Sequence, residues 1–186
     1  MNIGFAMCGS FCTFSQVFPI LESLAKEHRV IPVFSTVVQE TDSRFGKAED
    51  FWQRAKQATG LDPLSTIAQV EPIGPKKLLD ALIIAPCTGN TLAKLAHGIA
   101  DGPVTLAAKS HLRNGRPVII AVSTNDALAA AGENIGRLLS RRNYYFVPFR
   151  QDAPNEKPAS MVADFTKIPE TLTEALAGRQ IQPILL

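Results

Sequence analysis

Short runs of consecutive apolar residues, each closed by turn-forming residues and followed by a longer stretch with helical spacing, constrain this 186-residue chain more than any other feature. The runs cover residues 3–8, 30–34, 81–85, 117–122 and 144–147. A strand that is apolar throughout has no face to offer water, so it must be covered on both sides. The intervening stretches put apolar residues at i, i+3, i+4 and i+7, for example Val17, Ile20, Leu21 and Leu24, and read as amphipathic helices. Helices are predicted over 13–27, 48–58, 88–100, 104–112, 127–140 and 169–177, with Gly60 as the stop of the second. Strands alternating with helices give an α/β fold: a three-layer, doubly wound parallel sheet, flavodoxin-like or Rossmann-like. The length suits a single domain over residues 1–186. The polar, Pro-bearing segment 151–158 is expected to be its mobile loop.

Composition narrows the function classes. With 46% hydrophobic and 19% charged residues, disorder is excluded. A formal charge of +2 is too small for a nucleic-acid binder. No apolar stretch approaches the roughly eighteen residues of a membrane span, and the start of the chain has no basic residue before its apolar run, so neither a membrane partner nor a signal peptide is expected. Three cysteines, Cys8, Cys12 and Cys87, are poorly spaced for zinc and odd in number. They suit free thiols in a reducing cytoplasm, with no metal site.

In open α/β sheets, ligands bind beyond the carboxyl ends of the strands. Here those ends carry Gly9, Ser10 and Thr13 after the first strand and Ser35 after the second. Pro86, Thr88, Asn90 and Thr91 follow the third, and Ser123 and Asn125 the fourth. These ten are the candidate cofactor-binding residues. Hydroxyls and backbone amides at helix starts cradle phosphate, and only Asp126 adds a charge among these ends. A phosphorylated, otherwise neutral ligand such as flavin mononucleotide (FMN) would fit. The same residue types are also ordinary helix N-caps, which leaves the bland alternative open. Gly4 lies inside the first run and no third glycine follows Gly9, so a dinucleotide fingerprint is missing.

The stretch Ala85-Pro86-Cys87-Thr88-Gly89-Asn90-Thr91-Leu92-Ala93-Lys94, continuing to Asp101, resembles the APxTANTxAK signature of the FMN-binding flavoprotein family. That family includes phosphopantothenoylcysteine decarboxylase, lantibiotic cysteine decarboxylases and flavin prenyltransferases. Asn125 stands where the decarboxylases have the Asn of their PAMN element, and residues 159–164 resemble a remnant of their flap. The resemblance implies that Ser10, Thr13 and Ser35 face the phosphate of FMN and that residues 88–91 face its ring, with Gly89 a small change from Ala. It also implies a homo-oligomer, a trimer or a dodecamer.

Over its whole length the chain is most similar to a branch of the family that serves spore-forming bacteria as the second component of a two-subunit oxidoreductase. The segments that carry this are 42–51, 117–139, 143–165 and the ending around 178–184. The resemblance implies a partner, the A subunit, that holds NAD(P), and a substrate that is a pyridine dicarboxylate precursor. It implies work in the mother-cell cytoplasm during sporulation, and no activity for this chain alone.

Two departures matter. The His that decarboxylases use before the third strand is replaced by Pro72-Ile73, and their flap Cys by Ala153. Neither replacement titrates, so a decarboxylase acid/base pair is missing. No catalytic residue is assigned; Asn125 is the best candidate. A non-catalytic assembly component that has lost its flavin is the alternative, and an FMN-dependent decarboxylase is disfavoured.

Among the remaining residues, Cys8 and Cys12 at the first strand's mouth are expected to be structural rather than redox-active. His97 reads as a helix-surface residue, and His28 and His111 as cations suited to helix C-termini. Arg137, Arg141, Arg142 and Arg150 form a basic cluster, either a solvated face or a seat for a dicarboxylate or an acidic partner surface. Phe51 and Trp52 are expected in the core.

Overall fold

The computed structural model describes every residue, Met1–Leu186. In chain order the elements are β1 (Asn2–Met7), α1 (Phe14–Glu27), β2 (Arg29–Phe34), α2 (Thr36–Glu40), α3 (Ala48–Thr59) and α4 (Ile67–Val70). Then come β3 (Ala81–Cys87), α5 (Gly89–His97), α6 (Pro103–Leu112), β4 (Val118–Thr124), α7 (Gly132–Leu139), β5 (Tyr144–Phe146), β6 (Phe149–Gln151), β7 (Met161–Ala163) and α8 (Ile168–Leu176).

Five strands run parallel in the order β2-β1-β3-β4-β5. β1 and β3 are adjacent in the sheet while β2 lies on the outer side of β1, so the order reverses between them. Crevices open at such a switch point. All seven residues of β3 are buried, as are the first six of β4. That is the continuous apolar pattern of strands covered on both faces, and one core of 48 buried residues runs through them. On one flank Phe14 meets Phe18 edge-on at 5.8 Å and Phe51 at 4.8 Å. Phe51 is therefore core, while Trp52 is only partly buried and donates its indole N–H to Asp62 at 3.1 Å.

The sheet is mixed, which the apolar runs do not announce. β7 pairs antiparallel with β4 through Ser123–Val162 and Thr124–Met161, and β6 pairs antiparallel with β7. β3 occupies one edge of β4, so β5 and β7 share the other, β5 at its amino half and β7 at its carboxyl end. The hairpin β6–β7 is joined by residues 152–160, the bulk of the expected mobile loop. These residues form hydrogen-bonded turns: Lys157 N–H donates to the Ala153 carbonyl at 2.7 Å, and Gln151 Nε2 to the Pro158 carbonyl at 2.8 Å.

Gly60 ends α3 as expected, in the left-handed region at φ 73°, with its N–H on the Lys56 carbonyl at 2.8 Å. The helix expected over 127–140 is shorter. Residues 125–131 are turns, because the Asp126 carbonyl takes the N–H groups of Ala129 and Ala131 and Leu128 N–H is drawn to the Ala159 carbonyl. No helix is long and apolar enough to cross a membrane.

Candidate functional site

The loops after the parallel strands converge at the carboxyl edge on two hollows that share Gly9 and Thr88. The first, of about 290 Å³, lies between Gly9, Ser35, Thr36, Asn90, Thr91 and the start of α6. The second, of about 500 Å³, lies between Ser10, Phe11, Thr13, Ser123, Asn125 and the β6–β7 hairpin. Gly9 and Thr88 form a saddle at the β1/β3 switch point, so a ligand lying across them touches both.

Each side chain is placed by its element. Ser35 is the N-cap of α2 and accepts the Val38 N–H at 3.4 Å. Thr88 is the N-cap residue of α5 with no side-chain cap bond; its hydroxyl meets that of Thr91 at 3.2 Å. Thr91, buried, donates to Cys8 Sγ at 3.3 Å. Ser10 and Ser123 come from the ends of β1 and β4, with β3 between them, and their hydroxyls meet at 2.7 Å. Thr13 donates to the Ser10 carbonyl at 2.8 Å, which closes the turn into α1. Asn125 is exposed, and its Oδ1 accepts from the Ser160 hydroxyl at 3.4 Å.

Nine of the ten candidate residues line a hollow; Pro86 is buried and lines neither, acting through its carbonyl, which accepts the Cys8 N–H at 3.3 Å. The three hydroxyls expected at one phosphate do not share a hollow: Ser35 is in the first, Ser10 and Thr13 in the second. Residues outside the ten candidates complete the walls. Lys94 and Asp101 rim the first hollow, with the Lys94 ammonium donating to both carboxylate oxygens at 2.8 and 3.0 Å. That ammonium holds the Asp101 carboxyl below its ordinary range. Arg44, Asp152 and Lys157 rim the second. Burial raises the Asp152 carboxyl, but the Ser160 hydroxyl, its own amide and Lys157 outweigh it and keep it ionised. The signal for Asp101 and Lys94 was their place in the signature-like stretch 85–101; Arg44 and Lys157 are distant in sequence and only the fold gathers them.

The thiols have different settings. Burial pushes Cys8 up to about 11, and Cys87 is also raised, so both are protonated and inert near neutral pH. Cys12 is exposed on the second hollow, 3.7 Å from the Ser10 hydroxyl. His111 does not act as a helix-end cation. It is fully buried, and burial lowers it to about 4, leaving it neutral. The expected basic cluster also divides: Arg137 pairs with Glu133 on its own helix, and Arg150 lies on β6.

Gly89 is a larger departure from Ala than the sequence suggests. A Cβ there would stand 2.7 Å from Thr124 Oγ1 and 2.8 Å from Asp126 Oδ1. The Thr124 hydroxyl donates to that Asp126 oxygen, so the pair fills the space at the start of α5. Gly89→Ala is expected to destabilise the fold by about 1 kcal/mol through overpacking. In a Thr124→Ala/Asp126→Ala background the same change should be neutral or stabilising, because Ala is the better helix former. Urea denaturation of the four proteins measures this. Equal costs in both backgrounds would contradict the clash.

Hydroxyls, helix-start amides and rim cations in one crevice can hold an anionic headgroup in one hollow and a flat, polar-edged ring in the other. No histidine lines either. Known proteins share this architecture. The model of the Flavoprotein family matches residues 1–173. The B subunit of dipicolinate synthase from Bacillus subtilis is 45% identical over 186 residues, covering 100% of this chain and 93% of that protein. The crystal structure of the B subunit of dipicolinate synthase from Bacillus halodurans superposes with a TM-score of 0.91 at 44% identity, covering 100% of this chain and 95% of that one. The FMN-dependent cysteine decarboxylase SpaF, at 23% identity and a TM-score of 0.69 over 94% of this chain and 97% of its own, shares the fold. A mixed sheet with its polar crevice at the β1/β3 switch point, and a family match over nearly the whole length, establish that this chain belongs to the flavoprotein family.

Proposed function

We propose that this chain is the B subunit of a dipicolinate synthase, working with a separate A subunit that carries NAD(P). The reaction is oxidation of a dihydrodipicolinate-type precursor to the aromatic pyridine dicarboxylate in the mother-cell cytoplasm of a sporulating bacterium. The observation that carries it is the 45% identity to the Bacillus subtilis dipicolinate synthase B subunit across all 186 residues. In this reading the hydride leaves the ring for the oxidised nicotinamide on the A subunit and the proton goes to water. The assignment of the hydride step to that partner is supported by the absence of a glycine-rich dinucleotide turn after β1.

The cleft's chemistry fits FMN: the Ser35, Thr36 and Thr88 hydroxyls suit a phosphate, and Ser10, Phe11, Ser123 and Asn125 suit a ring with polar edges. Bound there, FMN would supply a redox-active ring. The chain's own part is to bind and orient. Arg44 and Lys157 at the rim suit the two carboxylates of the precursor, and the Asn125 amide, held by Ser160, can donate to one of them. Pro72 and Ala153 offer no proton-transfer group, which argues against decarboxylation. By analogy with a dodecameric FMN-dependent relative of Escherichia coli, this chain forms a homo-oligomer.

Co-expression of both subunits is expected to give dipicolinate formation that neither gives alone; full activity from the A subunit without this chain would overturn the assignment. A second reading, a component that shapes the complex without flavin, draws support from Asp126. Its carboxylate stands at the start of α5 and offsets the positive helix end that would otherwise favour a phosphate. The visible flavin band of the purified complex, present or absent, separates the two.

A further inference from the structure

We propose a second ligand site, beside the cleft's first hollow and sharing Thr105 with it, that binds a small organic dianion in the hollow between the C-terminal ends of α5 and α6 and the turn from α7 into β5. The hollow measures about 420 Å³ and is lined by Lys109, Arg113, Arg141 and Arg142, with no carboxylate among its lining residues. That volume lies in the range of small-molecule sites.

The four cations come from two segments, Lys109 and Arg113 from the end of α6 and Arg141 and Arg142 from the turn after α7. Arg141 is already committed: its guanidinium donates to the Leu95 and Ala96 carbonyls at 3.2 and 2.7 Å, satisfying the last turn of α5. Lys109, Arg113 and Arg142 are exposed and enter none of the chain's ion pairs. Cations at helix C-termini are partly explained by the helix dipole, worth about half a negative charge per helix. Three helices, α5, α6 and α7, end around this hollow. Together they offset about one and a half of the four positive charges, which leaves an excess of about +2.5. Like charges gathered without a counter-charge repel one another, and an excess of that size matches a ligand with two negative charges.

The remaining wall gives the ligand's body. Leu95, Ile99 and Leu112 supply an apolar side, and the Tyr144 ring supplies a flat one. Burial pushes the Tyr144 hydroxyl up to about 12, so it stays a proton donor. The chemistry selected is a carboxylate pair or a phosphate ester on an apolar, planar body. This assignment does not depend on the reading of the cleft.

Calorimetric titration of the full chain with two probes, phenyl phosphate and dipicolinate, tests it. At least one probe is expected to bind, with Kd about tenfold or more weaker in Arg113→Glu/Arg142→Glu. Which probe binds identifies the phosphate ester or the dicarboxylate as the group recognised. Both changes lie on exposed side chains, and thermal melting checks that the variant folds; if it does not, Arg142→Gln alone is expected to weaken binding severalfold. No binding of either probe up to about 1 mM would overturn the proposal. So would binding that survives the double reversal and is lost in Thr88→Phe, since that places the ligand in the cleft. A change in assembly state on reversal, with no probe bound, would mark the face as a contact between copies and equally defeat it.

Discussion

Acidification from pH 7 to pH 4 is expected to cost this fold about 3 kcal/mol through His111 alone. The ring sits under the end of α6, fully buried, and donates through Nε2 to the Pro117 carbonyl at 3.1 Å. Its Nδ1 is buried without a partner. A proton placed there would have no acceptor, and Arg116 adds a repulsion that Asp80 only partly offsets. Burial is the largest cause, and the imidazole falls from an ordinary 6.5 to about 4. Between those values the unfolded chain binds the proton and the folded chain does not, so stability is full above the unfolded value and is lost as pH falls toward the folded one. His111→Gln keeps a donor toward Pro117 but cannot titrate. Urea denaturation at pH 7 and pH 4 should show wild type losing about 3 kcal/mol more than the variant, the carboxylates being common to both. Equal losses would show that the ring takes up its proton in the folded state at little cost.

His111 also marks where sequence reasoning stops. A histidine in the last turn of a helix reads as a cation on a dipole, because such positions are usually exposed. α6 is unusual in being buried along most of its length, including Val104, Ala107, Ala108, Ser110 and His111. The hint was its run of small and apolar residues with almost no charge. β1, β3 and β4 were legible because strands covered on both faces keep no polar alternation to confuse with a helix. β6 and β7, three residues each, are shorter than any period can register, and the paired segment Phe149-Arg150-Gln151 carries polar residues. α4 left a readable trace in the Thr66-x-x-Gln69 capping box, with Thr66 Oγ1 accepting the Gln69 N–H at 3.3 Å. In the cleft, the hydroxyls at strand ends could be named in advance because topology alone sends them to one edge. Their division between two hollows could not, since it depends on how the β6–β7 hairpin docks on β4.

Filling the saddle between those hollows should remove ligand binding while leaving the fold standing. Thr88 is the residue to change, because it is half-buried and lines both spaces. Its side chain makes no cap bond to α5; its one hydrogen bond is to the Thr91 hydroxyl, and Thr91 keeps its contact with Cys8 Sγ. Its φ and ψ, −79° and 160°, are extended values that an aromatic residue adopts without strain. Thr88→Phe therefore is expected to melt close to the wild type, while its ring projects into the volume that a ligand lying across Gly9 would need. At a concentration one hundred times its Kd, a bound ligand stabilises the native state by about 2.7 kcal/mol. With FMN as the titrant, that stabilisation should vanish in Thr88→Phe and persist in Thr88→Ser, which retains the hydroxyl. Dipicolinate formation by the two-component complex should fall at least about a hundredfold in the Phe variant, the scale on which misplacing a bound reactant slows chemistry. A Phe variant that is stabilised by FMN as the wild type is, and turns over at the wild-type rate, would mean that the crevice at the switch point is not where this protein works.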